Sequence, residues 1–212
     1  MQLLTYPARP VNGGPLDRAL PKTGEWLYEP KYNGWRALVH APTGTMFNRQ
    51  GERLSIASEF YPALEEARKF AAGLRPYHRL TCTDLHGRTQ LTAAESEWLD
   101  CEALSRRHTR GRGTLVVLDL PMLKLPAIQR GYVLRESFCP AIDHCASKDS
   151  LYSVPQWTDG PAVYSELKLN NRDLGIEFYE GVVAKRADSL YPIQLRSPSL
   201  EFPFWMKHRW AF

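Results

Sequence analysis

Short apolar runs, each broken by one or two charged residues, recur along most of the chain and are separated by three stretches with helical spacing. WLYEP (26–30) and WRALVHA (35–41) predict two strands flanking Lys31, closed by the turn PTG, with MFNRQGERL following as another strand and turn. SEWLDCEAL and GTLVVLDLP predict a second pair joined by the polar hairpin SRRHTRGRG. LYSVPQW, YEGVVAKRA and FPFWMKHRW supply the remaining strands. The strongest helix signal is SIASEFYPALEEARKFAAG: Phe60, Leu64, Ala67 and Ala71 recur at helical spacing, Glu65 and Glu66 come early, Lys69 late, and Gly73 follows. PAIQRGYVLRESFCPAI and AVYSELKLNNRDLG are the other two helices. Residues 1–24, rich in Pro and Gly, predict an extended lead-in.

The charged interruptions are the informative positions. Lys31, Glu102, Glu180, Lys185 and Lys207 all fall inside otherwise apolar strands, and function tends to break local rules in this way. A lysine amine is a nucleophile only when deprotonated, which desolvation or neighbouring cations promote. An ordinary strand lysine whose charge snorkels to water is the alternative for Lys31.

Composition narrows the field less. With 43% apolar and 11% aromatic residues in 212, the chain can bury a core, and a formal charge of +4 is compatible with a polyanionic ligand without identifying one. Cys82, Cys101, Cys139 and Cys145 form no C-x-x-C pair, no H-x-x-x-H lies near them and no secretory leader precedes them. Reduced structural thiols in an intracellular protein, of cytoplasm or nucleoid, are therefore expected rather than a metal centre. No run approaches the ~18 apolar residues of a membrane span, so a soluble protein is expected. Without repeats or long linkers, residues 1–212 are expected to form one domain.

In chain order, KYNG (31–34), NRQG (48–51), LDCEAL (99–104), VVLDLP (116–121), EGVVAK (180–185) and WMKHRW (205–210) resemble the motifs of the nucleotidyltransferase, or adenylation, domain of ATP-dependent DNA ligases, relatives of RNA ligases and capping enzymes. One K-x-x-G would be weak; five or more motifs in order are strong. The resemblance spans about Glu25 to Arg209. It implies an α+β fold of two antiparallel β-sheets flanked by helices, with a nucleotide groove between them. ATP would be the substrate and Mg²⁺ the metal, with Mn²⁺ as the alternative. The partner implied is nicked or broken duplex DNA with a 5′-phosphate, RNA being the alternative.

The same resemblance assigns roles. Lys31 would attack the α-phosphate of ATP and become adenylated. AMP would then pass to a 5′-phosphate end, and a 3′-hydroxyl would displace it. Lys207 and Arg209, alternating onto one face of a strand, would neutralise the α-phosphate, while His208 would point away and pack. Arg49 would contact nucleotide phosphates or the 5′-phosphate, and Arg36 a terminal phosphate in the acceptor, because a guanidinium fork meets two phosphate oxygens at once. Glu102 would bind the ribose hydroxyls, with Asp100 nearby, and would share a metal with Glu180. Lys185 would approach the phosphates, Glu29 would read the adenine amino group, and Leu118 and Val182 would cover the two faces of the base.

Several positions depart from that pattern. Asn33 stands where most ligases have aspartate, Cys101 replaces a glycine, and Leu118 replaces an aromatic whose stacking on a base is worth ~1–3 kcal/mol. CTDLHG, with Asp84 and His86, competes with LDCEAL for the third motif. The chain ends soon after Arg209, so no OB-fold is expected, and a protein partner could supply the missing clamp. RRHTRGR would either track a phosphate backbone through counterion release or form a solvated loop. A DNA ligase is the favoured reading, an RNA ligase or RNA-end enzyme the second, and a non-catalytic end-binding module the third.

Overall fold

The computed structural model describes residues 5–7, 9–16, 25–74, 91–104, 112–141, 150–193 and 197–210. Among the described residues nine strands run β1 (Arg9–Asn12), β2 (Trp26–Tyr32), β3 (Trp35–His40), β4 (Thr45–Phe47), β5 (Trp98–Leu104), β6 (Thr114–Asp119), β7 (Leu151–Ser153), β8 (Tyr179–Arg186) and β9 (Glu201–Arg209). Three helices join them: α1 (Tyr61–Ala71), α2 (Ala127–Ser137) and α3 (Gly160–Leu174). The strands form a four-stranded sheet ordered β1-β9-β8-β2 and a five-stranded sheet ordered β4-β3-β5-β6-β7.

Both sheets are mixed, which corrects the expectation of two antiparallel ones: β1 runs parallel to β9, and β6 parallel to β7. The cause is connectivity. β7 is reached from β6 through a crossover carrying α2, and such a return makes a parallel pair where a tight hairpin would make an antiparallel one. β1 comes from the lead-in, whose residues 9–12 join the sheet edge beside β9.

The helix expected over 55–73 splits in two, with a 3₁₀ segment at Ser55–Phe60 preceding α1. Pro62 allows this join, because the first turn of a helix has no intrahelical partner for the N–H that proline lacks. α3 is capped at both ends: Asp159 accepts from the Ala162 N–H at 3.0 Å, and Gly175 ends the helix at φ 67°. No helix among the described residues is long and apolar enough to cross a membrane.

Period-two alternation decides what faces the groove. Ala37, Val39, Leu99, Cys101, Ala103, Leu115 and Val117 are fully buried in one cluster with Leu64, Ala67 and Phe70 of α1 and Leu134 of α2. The intervening residues of the same strands, Arg36, Glu102 and Leu118, line the groove on the opposite side. Cys101 thus stands where glycine was expected because its position faces core; Cys82 and Cys145 lie outside the described residues. In the second sheet, Val182 and Ala184 pack in a cluster with Val163, Tyr164 and Leu167 of α3, leaving Val183 and Lys185 to face the groove.

Candidate functional site

Lys31 lies near the end of β2, opposite Gly181 of β8. Its Nζ donates a hydrogen bond to Glu180 Oε2, and Arg209 Nη2 of β9 sits 3.0 Å from that same oxygen. The Lys31 and Glu180 side chains are each about one-fifth exposed, so the pair is reachable from the groove but largely shielded. Two glycines permit close approaches around this site. A Cβ on Gly181, which adopts φ 144°, would fall 2.0 Å from the His208 carbonyl oxygen and push β9 away. A Cβ on Gly34 would fall 2.8 Å from Glu102 Cγ, whereas the Gly34 N–H donates to Glu102 Oε1 at 3.1 Å. The K-x-x-G and E-G spacings therefore have steric causes in this chain.

The groove between the sheets is lined by Lys31, Arg36, Glu102, Leu118, Trp205 and Lys207, together with Glu29, Val183 and Lys185. Its cavity of about 80 Å³ is smaller than the ~300–1,000 Å³ of typical small-molecule pockets. Val182 does not line it. The strand alternation buries Val182 against α3 and presents Val183, which corrects the expectation of Val182 over the base.

Several expected phosphate contacts are engaged elsewhere. Lys185, 3% exposed, lies 3.0 Å from Glu29 and 3.2 Å from Asp119, and donates to the Leu118 carbonyl at 2.8 Å. Its ammonium also sits 4.4 Å from the centroid of Trp205. Lys185 thus ties β2, β6 and β8 together. Arg36 gives both prongs of its fork to Asp100, which also accepts from the Tyr191 hydroxyl at 2.7 Å. Burial would depress the Arg36 guanidinium, but the Asp100 carboxylate outweighs it and holds the charge above its ordinary range. Arg49 is not among the residues that line the groove and is exposed on the turn after β4, which Asn48 Oδ1 closes by accepting from the Gln50 and Glu52 N–H groups.

Asn33 is explained by what it donates. Its Nδ2 reaches the Glu177 carbonyl at 3.1 Å while its backbone N–H reaches the Phe178 carbonyl at 3.0 Å. An ionised aspartate would set an acceptor against an acceptor there. His208 turns away from the groove, 1% exposed, with Nδ1 3.0 Å from the Gly14 carbonyl oxygen. The alternative third motif with Asp84 and His86, and the basic residues 106–111, lie outside the described residues.

The support beneath the groove leaves little trace in the sequence. Arg130 of α2 makes a two-point contact with Asp119, at 2.6 and 3.1 Å, and donates to the Leu125 and Ser189 carbonyls. Burial alone would raise the Asp119 carboxyl, but Arg130 and Lys185 overcome it and hold it well below the usual carboxylate range. Gln156 Nε2 donates to Glu29 Oε1 at 2.7 Å. For Glu29, burial prevails and raises the carboxyl despite Lys185 and Gln156.

Glu102 is pushed up to about 7, first by burial, with Glu180 and Asp100 adding to the rise and Lys31 and Arg36 opposing it. Because the folded protein favours the protonated acid, Glu102 subtracts stability as pH climbs from the ordinary carboxylate range through about 7. Affinity for a ligand whose hydroxyls donate to Glu102 runs the other way and should rise between pH 6 and 8. Titration calorimetry of Glu102→Gln against wild type checks this: the variant should show a flat profile.

Glu102, which lines the groove, and Glu180, beside Lys31, are the candidate carboxylates for a cation, because Glu29, which also lines the groove, is held by Lys185 and Gln156. No group of three or more His, Cys, Asp or Glu side chains forms a metal cage among the described residues. Two carboxylates suit Mg²⁺, which keeps waters and phosphate oxygens as its other ligands, and Glu180 would have to share its charge with Lys31 and Arg209.

No protein-family model matches the chain, and no curated protein does. Solved structures do. The ligase domain of M. tuberculosis LigD superposes with a TM-score of 0.53 at 20% identity, covering 97% of this chain and 59% of that one. Mycobacterial DNA ligase D, complexed with ATP and MES, gives 0.53 at 22%, covering 97% and 60%. The Chlorella virus DNA ligase–adenylate gives 0.53 at 13%, covering 98% and 68%. The chain has the fold of the nucleotidyltransferase domain of ATP-dependent DNA ligases and spans about three fifths of the length of the LigD ligase domain.

Proposed function

We propose that the chain is a ligase adenylation domain, which forms lysyl-AMP on Lys31 and passes AMP to a 5′-phosphorylated DNA end so that a nick is sealed. The observation that carries this reading is the meeting at Lys31, an amine that lines the groove, of a carboxylate and a guanidinium from two other strands, Glu180 and Arg209. Glu102 and Lys207 line the same groove.

In the first step the Lys31 Nζ–phosphorus bond forms as the bond to pyrophosphate breaks, and the proton leaving Nζ has Glu180 Oε2 as its hydrogen-bonded acceptor. Lys207 and Arg209 share a face of β9 and stabilise the charge that develops on the transferred phosphate. Lys207 is suited to this because burial, then Arg9 and Arg209, lower its pKa and leave its charge under-compensated. Mg²⁺ held by Glu102 and Glu180 would neutralise phosphate charge. Glu102 also accepts from the ribose hydroxyls, while Lys185, fixed between Glu29 and Asp119, keeps the base end of the groove in register.

The assay that tests the substrate is sealing of a nicked duplex with ATP and Mg²⁺, followed on a denaturing gel. DNA on both sides of the nick should be joined. Joining only with RNA at the 3′-hydroxyl side would replace this reading with an RNA ligase, and binding without joining or adenylation would replace it with an end-binding module.

A further inference from the structure

Glu29 is aimed by a side chain that the reaction scheme above does not use. Gln156 Nε2 donates to Glu29 Oε1, and Lys185 Nζ lies 3.0 Å from that same oxygen. Both donors converge on Oε1 of a side chain that lines the groove, and neither takes Oε2. The placement of Gln156 is built rather than incidental. Next to it, Trp157 exchanges two backbone hydrogen bonds with Tyr28, at 2.8 and 3.0 Å, which clamps this segment onto β2 one residue from Glu29. On its other side, α2 carries Gly131, where a Cβ would fall 1.8 Å from Gln156 Oε1, so the helix is hollowed out to receive the amide. Arg135 Nη1 donates to Gln156 Oε1 at 3.3 Å, which turns the oxygen toward the arginine and the Nε2 donors toward Glu29.

We infer that Gln156 determines base specificity: with Lys185 it fixes Glu29 as an acceptor-only carboxylate whose free oxygen selects a purine bearing a 6-amino group over one bearing a 6-oxo group. This rests on the reading that the groove takes a purine nucleotide. A 6-amino group donates to a carboxylate oxygen, whereas a 6-oxo group meets it acceptor to acceptor and leaves both unsatisfied. Burial raises the Glu29 carboxyl, and a protonated Glu29 would donate to a 6-oxo group and forfeit the discrimination. Gln156 and Lys185 oppose that protonation. Gln156 therefore acts through Glu29, as a positioning residue, and touches no reacting atom.

The test is nucleotide-dependent thermal stabilisation of the full chain, titrated with ATP and with inosine triphosphate, for wild type, Gln156→Leu and Gln156→Glu. Wild type should favour ATP, and each variant should shrink the ATP-to-ITP affinity ratio by about tenfold or more, the factor carried by a hydrogen bond to a charged group. Gln156→Glu keeps the side-chain shape while replacing the donor by an acceptor, so it decides the question if Gln156→Leu fails to fold. An unchanged ratio in the folded variants, or a wild type that binds both nucleotides alike, overturns the inference. Absence of an AMP adduct on wild type would instead reject the catalytic reading, and the binding ratio would still decide the role of Gln156.

Discussion

Arg130→Met is expected to lower folding stability by about 3–5 kcal/mol, the cost of stranding one member of a buried ion pair. Arg130 and Asp119 are each at most 3% exposed, and Asp119 would keep only Lys185 and the Leu120 N–H as partners. Methionine fills similar volume, so the loss isolates charge and hydrogen bonding rather than a cavity. The carbonyls of Leu125 and Ser189 would lose a donor as well, which loosens α2 against the segment after β8. The pH dependence has a definite sign. Since the folded protein holds Asp119 below its unfolded range, the contribution is present above the unfolded carboxyl value, ~3.9, and is lost as pH falls through and below it. Urea denaturation at pH 7 should show the full gap between wild type and variant, and the gap should narrow below about pH 4. A difference under about 1 kcal/mol at pH 7 would contradict this account of the network.

What the sequence disclosed and what it hid divide along a physical line. Charged residues that interrupt a strand are visible because period two is easily read, so the positions of Lys31, Glu102 and Lys207 at the groove and of Glu180 beside Lys31 were legible, as was the turn of His208 away from the groove. Val182 and Val183 were not separable in that way. Both are apolar, and only the register of β8 against α3 tells which one meets the groove. The partners that consume Lys185 and Arg36 come from distant segments: Tyr191 bonds Asp100 across 91 residues, and Gln156 bonds Glu29 across 127. No local pattern encodes such pairs. Arg130 did leave a signal, as a charge between the apolar positions Ala127 and Val133 on the buried side of α2. The parallel placement of β1 was hidden because a four-residue edge strand carries too little pattern to name its neighbour.

Lys31→Ala is expected to abolish covalent nucleotide transfer, because no other amine shares the position of its Nζ against Glu180 and Arg209 among the described residues. Lys207 lines the groove but is turned toward the Pro10 carbonyl, 3.3 Å away, and Lys185 is held by two carboxylates. Neither can substitute without giving up those partners. The loss should also be clean. Lys31 is not part of the Arg130–Asp119–Lys185 network, so the variant should keep its fold while losing its chemistry. Glu180 would retain Arg209 as a partner, which limits the charge left uncompensated at the groove. Intact mass spectrometry after incubation with ATP and Mg²⁺ measures this outcome directly. Wild type should gain the mass of one AMP, and Lys31→Ala should gain none. An unmodified wild type, or an adduct of equal yield on the folded variant, would contradict it.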